Sequence, residues 1–584
     1  MLVDKILLPS NFEGDSRLYF MTLATDYDGT LAHDGMVDAP TIAALESFKA
    51  TGRRLILITG RELPDLKKAF TKLKMFDRVI AENGALVYDP ATEKERLLGP
   101  EPSPQFVARL RQMGVSPLSV GRCIVATWEP HETTVLQVIK ELGLELQIIF
   151  NKGAVMVLPP GVNKAAGLAA ALNDMELSAH NVVGVGDAEN DHAFLCACGC
   201  AAAVANALPM VKEVADINLV GDDGTGVAEL MERICRDDAH LASSERHGVL
   251  LGAAANHEVL LEPYGGNVLI AGKSGIGKST LATALTERMA EKGLIFCVFD
   301  PEGDYDELRD AVSIGNTEIP PSDEEAIRLL QTATSVVINT QCLSVSDRPS
   351  FFADMLPRVS LMRAKTGCPH WLVIDEAHHV LPASRDVANV FPNDAPAAIF
   401  ITVHPAAVSP DALKTVELVV ALGEGANEVI SDFCRVIAIA PPEMSISPSD
   451  DEVLVWVRNS GEPVRAIKPE RPQQAHKRHT RKYADGDLGE ELSFYFRGPD
   501  DALNLRAQNL MLFLQIAQGV DDRTWTHHLQ KGDYSDWFKT VIKDDELAKE
   551  AADVETNHTL NPSESRHLIE EAVRRRYTAP ASGE

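Results

Sequence analysis

The chain has 584 residues, 45% of them hydrophobic and 6% aromatic, with a formal net charge of −30. That length leaves room for roughly three to four domains of about 150 residues each. The acidic balance argues against a protein that coats nucleic acid through bulk electrostatics, while leaving room for a local basic track, and no apolar run reaches the length of a membrane span. The nine cysteines lack the paired spacing of secreted domains, and the opening "MLVDKILLPSNFEGD" does not read as a signal peptide, so a soluble, reduced, cytoplasmic protein is expected. Cys196, Cys198 and Cys200 in "FLCACGC" read as small buried thiols, because a metal clip would want CxxC pairs or histidine partners.

Residues 1 to about 236 alternate strand-like runs with helical patterns, the mark of a layered α/β domain. "YFMTLATD", "RLILITG", "RVIAENGALVY" and "NVVGVGD" are the strand candidates. The first runs into Asp26 and Asp28, two carboxylates one residue apart. Parallel sheets build their sites at that carboxyl edge, and a cation shared between the two acids would offset their repulsion. Gly29 permits the sharp exit that follows. Thr59 and Gly60 end the next strand and offer a hydroxyl and an N–H to a phosphate. Lys164, in "PPGVNKAAGL", stands at a helix start, where a cation and free N–H groups favour an anion. "NVVGVGDAEND" then supplies Asp187, Asn190 and Asp191. Each stretch alone reads equally well as a surface turn; all four in this order point to a phosphoryl pocket.

In these four stretches the sequence resembles the haloacid-dehalogenase-like hydrolases, over roughly residues 20–234. The long insert between Thr59 and Lys164, opening near "AENGALVYD", resembles the Cof-type, type IIB capped phosphatases. The resemblance implies a Rossmann-like core over about 18–62 and 160–236 with an α/β cap over about 63–159. It implies Asp26 as the nucleophile that forms an aspartyl-phosphate and Asp28 as the general acid/base. Thr59, Gly60, Lys164 and Asn190 would hold the phosphoryl group of a small phosphorylated substrate. Mg²⁺ would lie among Asp26, the Asp28 carbonyl and Asp187, with Asp191 in the same shell. His131 and Lys152 in the cap are candidates to face the substrate, although the cap surface is the commoner place for such residues.

"DDAHLASSERH" (237–247) is polar and reads as a linker. A second α/β series follows. "NVLIAGKSGIGKSTLATAL" is an apolar strand, a G-x-x-x-x-G-K-S loop and an amphipathic helix, the context that makes a phosphate-binding loop credible. Gly272, Lys273, Ser274, Gly275, Ile276 and Gly277 would wrap ATP phosphates, with Thr280 just beyond. Lys278 would neutralise them and Ser279 would meet Mg²⁺. "HWLVIDEAHHVLP" ends a strand on Asp375, suited to the Mg²⁺ shell, and Glu376, suited to activating water. "AAIFITVHP" ends another at Thr402 and His404, where ATPases keep a polar sensor.

This order, with "FDPEGDY" as its telling segment, resembles the HerA/FtsK-type motor ATPases over roughly 248–460. Glu302 stands where that family usually has Lys and Asp304 where Glu is usual, and Val403-His404 replaces the usual Gln-Arg of the sensor. The resemblance implies a RecA-like domain, set at 248–465, in a homo-oligomeric ring, most simply a hexamer, with a neighbour's arginine completing each site. Arg358, Arg363 and Arg435 are candidates for it, with a local salt bridge as the plainer reading of each.

The stretch 466–483 is a basic linker, in which Arg471, Lys477, Arg478, Arg481 and Lys482 cluster with His476 and His479. It would track phosphates or simply be solvated. The tail 484–584 carries apolar residues at helical spacing, with Trp525 and Trp537 at packing positions. The expected whole is a fused phosphatase–ATPase using Mg²⁺ and ATP. Two alternatives stay open: a nucleic-acid motor or polynucleotide kinase/phosphatase-like end processor, with nucleic acid as the less favoured partner, and a nucleotide-sensing scaffold.

Overall fold

Strand β1 (Thr22–Asp26) is buried along its whole length and lies inside an eight-stranded sheet of the computed structural model. The structure describes residues 18–577 apart from 243, 255–256, 263–265, 307, 385–396, 445, 450, 474–487, 489–491, 500–501, 543 and 558. Two units separate, Met1–Pro472 and Gln473–Glu584.

In the first unit, β1 is flanked by β2 (Arg54–Ile58) on one side and β10 (Val182–Gly186) on the other, both parallel to it. These runs are apolar at every position because helices cover both faces of the sheet, so no face is left for polar alternation. Register does the functional work. Asp26 pairs with Ile58 and Thr25 with Val185, so Asp26, Thr59 and Asp187 leave three neighbouring strands at one edge. β11 (Cys200–Ala203) and β12 (Ile217–Asn218) continue the sheet beyond β10.

On the other side come β3 (Arg78–Ala81), β4 (Leu86–Asp89) and β5 (Lys94–Leu97). These strands fall within the range 63–159 expected for the cap, yet they pair with the core sheet: β3 parallel to β2, then β4 and β5 antiparallel. The cap proper is a separate antiparallel sheet in the order β6-β7-β9-β8. Its strands are β6 (Ser119–Val120), β7 (Val125–Trp128), β8 (Gln147–Asn151) and β9 (Ala154–Leu158). The amphipathic helices Pro104–Gln112 and Glu132–Leu142 bury Phe106, Leu110, Val135 and Val138 against it.

The stretch 237–247, expected as a linker, is docked. Asp238 accepts the N–H groups of Tyr19 and Phe20, and the Arg246 guanidinium donates to the carbonyls of Leu195, Cys198 and Val214. His247 is buried and its Nδ1 lies 2.7 Å from His180 Nδ1.

An eleven-stranded sheet follows. Its parallel part runs β21 (Val416–Leu422), β15 (Asn267–Ala271), β20 (Ala398–Thr402), β19 (Trp371–Ile374), β16 (Phe296–Asp300), β18 (Ser335–Asn339), β17 (Ala311–Ile314). Antiparallel strands β22 (Val453–Val457), β23 (Arg465–Pro469), β13 (Val249–Ala254) and β14 (His257–Leu261) extend it from β21. The expected α/β class therefore holds for both domains.

The second unit is mainly helical, as expected, with a small hairpin of Phe494–Phe496 and Leu505–Ala507. Phe494, Phe513, Trp525, Tyr534 and Trp537 share its core. Trp525 Nε1 donates to Ser565 Oγ and Trp537 Nε1 to the Leu492 carbonyl, so each indole satisfies its one donor. His476, Lys477, Arg478, His479, Arg481 and Lys482 of the basic stretch lie outside the described residues.

Candidate active sites

Asp26 is 4% exposed and Lys164 1%. The lysine comes from the first turn of helix Lys164–Asp174, whose N-cap Asn163 accepts the Ala166 N–H. Its Nζ lies 2.5 Å from Asp26 Oδ1 and 2.5 Å from Asp191 Oδ1. The other Asp191 oxygen accepts the N–H groups of Asp187 and Ala188, both at 2.9 Å, and so fixes the loop that carries Asp187. Carboxylate oxygens of Asp26, Asp187 and Asp191 all lie within 4.8 Å of one another.

Burial, reinforced by the Asp191 and Asp187 charges and opposed by Lys164, pushes the Asp26 carboxyl well above its usual value. Burial raises Asp187 as well, against its bond from Lys152. For Lys164, burial disfavours the ammonium, but Asp191 and Asp26 outweigh it and the pKa is raised. Crowded, desolvated carboxylate oxygens of this kind are the hard donors that Mg²⁺ prefers, so the residues fit that ion.

Thr59 is fully buried; its Oγ1 accepts the Arg61 N–H at 3.1 Å, which leaves its own O–H to donate. Asn190 Nδ2 donates to Asn83 Oδ1 at 2.9 Å and stands 4.0 Å from where a Cβ on Gly60 would lie. Gly29 must be glycine: its φ is +82°, and a Cβ there would sit 2.5 Å from Asp187 Oδ2. Lys152 reaches Asp187 from the cap. His131 instead lies against the Ser116 backbone, within the cap.

Two further residues were not singled out in the sequence. The Arg61 guanidinium grips Asp28 through two bonds of 2.7 Å and also pairs with Asp65. Its place directly after Thr59-Gly60 was the available signal. Glu82, 1% exposed, accepts the N–H groups of Arg122, Cys123 and Ile124 in the cap, at 2.8, 2.7 and 3.2 Å.

In the second domain the loop between β15 and helix Lys278–Glu291 carries Gly272 to Gly277. Gly277 has φ +103°, a left-handed turn into the helix that a side chain would resist. Lys273, Ser274, Gly275 and Ile276 are exposed, while Lys278 is buried with its Nζ 3.1 Å from the Lys273 carbonyl. Ser279 Oγ lies 3.4 Å from Asp375 Oδ2, and Thr280 follows in the first turn. Asp300, Asp304 and Asp375 form a second acidic cluster within 4.8 Å. Burial carries Asp300 up to about 7, against the Tyr305 N–H and with help from Asp375.

Glu376 sits at φ +42°, and its Oε2 lies 3.4 Å from His378 Nδ1. That same nitrogen is 3.2 Å from Thr402 Oγ1. The expected sensor His404 has an exposed side chain and meets Thr402 through its backbone, its N–H donating to Oγ1 and its carbonyl accepting from it, so His378 is the imidazole that lies between Glu376 and the strand end. Of the arginines considered for a neighbour's site, Arg358 pairs with Asp323, Arg435 pairs with Asp432 at 2.6 Å, and Arg363 is buried.

Residues 23–121 and 122–231 match the haloacid dehalogenase-like hydrolase family, and residues 266–358 match the family described as Helicase HerA, central domain. A phosphoglycolate phosphatase 2 of Saccharolobus solfataricus is 29% identical over 219 residues, which are 36% of this chain and 91% of that protein. A phosphoglycolate phosphatase of Haloarcula marismortui is 31% identical over 218 residues, 35% of this chain and 94% of that protein. The crystal structure of a haloacid dehalogenase-like hydrolase from Bacteroides thetaiotaomicron aligns with 37% of this chain and 99% of its own, at 19% identity and a TM-score of 0.33. Through residues 23–231 the chain belongs to the haloacid dehalogenase-like hydrolases, and a stretch similar to the HerA central domain follows at residues 266–358.

Proposed function

We propose that residues 18–236 hydrolyse a small phosphomonoester with Mg²⁺ through an aspartyl-phosphate, and that residues 248–465 bind and hydrolyse ATP in a homo-oligomeric ring of this cytoplasmic protein. The observation that carries the first half is the buried Lys164 ammonium held against both Asp26 and Asp191, with Asp187 in the same cluster. A carboxylate nucleophile needs its anionic target's charge cancelled before the two can meet. Lys164 contributes to that; Asp26 and Asp187 would hold Mg²⁺, which would supply further positive charge there. Asp191 acts by holding the Asp187 loop.

Asp26 attacks phosphorus and the ester oxygen leaves as an alcohol with a proton from Asp28. Asp28 then takes a proton from water, which attacks the aspartyl-phosphate and releases inorganic phosphate. The Thr59 hydroxyl, the Gly60 N–H, Lys164 and Asn190 orient the phosphoryl oxygens. The similarity to phosphoglycolate phosphatases supports 2-phosphoglycolate, or a short phosphorylated acid like it, as substrate. The test is Mg²⁺-dependent phosphate release from 2-phosphoglycolate. Asp26→Asn retaining more than about a tenth of it would overturn the assignment.

In the second domain, Lys278 meets the phosphates, Ser279 and Asp375 would hold Mg²⁺, which would offset phosphate charge, and Glu376 activates water. Mass photometry with a non-hydrolysable ATP analogue tests the ring: a hexamer is expected, and a strict monomer at micromolar concentration overturns it. The HerA match also favours a nucleic-acid motor as second reading, which length-dependent stimulation of ATPase by DNA would support.

A further inference from the structure

The cap hairpin between β8 and β9 turns at Asn151-Lys152-Gly153. Lys152 has a left-handed backbone, φ +48°, unusual for a residue with a side chain. The turn throws its ammonium out of the cap and onto Asp187, 35 residues later in the core. Asp187 is fully buried, whereas the Lys152 side chain is 47% exposed. A methyl on Gly29 would lie 3.0 Å from Lys152 Nζ, so the ammonium hangs over the turn that follows Asp26.

We propose that Lys152 is a specificity residue that binds a carboxylate on the leaving-group side of the substrate, one or two carbons from the phosphate ester. This rests on the phosphatase reading above. In-line attack by Asp26 puts the leaving group opposite the nucleophile, toward the cap. Lys164 is taken up by Asp26, Asp191 and the phosphoryl group, and Arg61 by Asp28 and Asp65, so neither serves a second anionic group of the substrate. A divalent ion held by Asp187 would take the oxygen that Lys152 now holds, which would free the ammonium, while the hairpin that carries Lys152 would keep it near the site on a flexible four-carbon stem. A half-buried ammonium without a counter-charge is unfavourable, and a substrate carboxylate supplies that charge. The cap also brings Met156 of β9 to the core, its Sδ 3.6 Å from a Cβ position on Gly60, so an apolar side chain reaches the strand end that carries Thr59.

The experiment measures equilibrium binding by calorimetry, with Mg²⁺, on full-length Asp26→Asn protein. The ligands are 2-phosphoglycolate and ethyl phosphate, which keeps the ester and lacks the carboxylate. The carboxylate ligand is expected to bind about tenfold tighter, and adding Lys152→Gln should bring the ratio below about threefold. Lys152→Arg, which keeps the charge, should retain most of the preference. A preference that survives Lys152→Gln, or that is absent before the change, overturns the proposal. Wild-type turnover of p-nitrophenyl phosphate with Mg²⁺ is read separately: its absence sinks the phosphatase reading and leaves the binding ratio to decide on Lys152.

Discussion

Lys164 Nζ stands 2.5 Å from Asp26 Oδ1, and neither side chain has appreciable contact with solvent. The pair is not a stability device of the ordinary surface kind, because Asp191 shares the same ammonium. Removing the lysine leaves two buried carboxylates uncompensated. Lys164→Met should therefore lower the stability of the phosphatase domain by about 3 kcal/mol and abolish turnover. Mg²⁺ should return part of that stability by binding the exposed negative charge. Chemical denaturation with and without Mg²⁺ measures both. A variant as stable as wild type without the ion would show that Lys164 is not what neutralises this cluster.

Glu82 ties the core sheet to the cap. Its two oxygens take three consecutive cap N–H groups, although it sits at the end of β3 in the core. Each buried N–H left unpaired costs about 1–3 kcal/mol. Glu82→Ala should loosen residues 122–124 without unfolding the core. Faster amide exchange confined to the cap, with a raised KM, is the expected result. Exchange that rises equally in β1 and β10 would mean a global effect instead.

The parts of these sites that were readable in the sequence share one physical cause. Asp26, Thr59 and Asp187 each follow an apolar run buried on both faces, so the run marks the strand and the polar residue marks its carboxyl end. The parts that were not readable depend on partners distant in the chain. Arg61 is defined by Asp28, and Glu82 by N–H groups 40 and more residues on. The polar stretch 237–247 looked like a linker because its composition is polar, yet those groups are spent on backbone carbonyls and N–H donors of the hydrolase domain. The resemblance counts β3, β4 and β5 as cap because it sets the insert's start early, whereas their pairing continues the core sheet from β2. His378 was passed over for His404 because the sensor was sought on its own strand, whereas the contact arrives from the neighbouring acidic turn.

The histidines where the two α/β domains meet predict a pH effect. His247 Nε2 donates to the Gly199 carbonyl, so in the neutral ring Nδ1 must accept from His180. His370 packs edge-on against His180, at 5.2 Å between ring centres. Burial, with the neighbouring charges of Arg246 and Lys292, drives His247 down to about 4. Burial and His247 do the same for His180. Both folded values lie below the unfolded 6.5, so the unfolded chain binds more protons between them. Stability is thus complete above pH 6.5 and falls as the pH drops toward 4, by a few kcal/mol as an order of magnitude. Asp300, raised to about 7, titrates in the opposite sense, so the histidine contribution is read by difference. Melting curves from pH 7.5 to 5 should flatten in His180→Phe relative to wild type. Parallel curves would show that these rings do not carry the effect.

Glu376, His378 and Thr402 predict a division of labour in the ATP hydrolysis proposed for the second domain. Lys278→Ala should weaken ATP binding, because the ammonium faces phosphate charge, whereas Glu376→Gln should keep ATP and stop hydrolysis. His378 is the new member. Burial and the charges of His379 and His404 bring its pKa down to about 4, so at neutral pH it is an uncharged imidazole between the Glu376 carboxylate and the Thr402 hydroxyl. A neutral imidazole there positions Glu376 without cancelling its charge. His378→Ala should then lower kcat for ATP by about tenfold to a hundredfold while leaving the affinity for ATP within about threefold. His404→Ala, whose side chain is exposed, should have a much smaller effect. Nucleotide binding by fluorescence and steady-state hydrolysis together make the comparison. If His404→Ala were the slower enzyme, the contact across Thr402 would be structural and the strand end itself would carry the sensor.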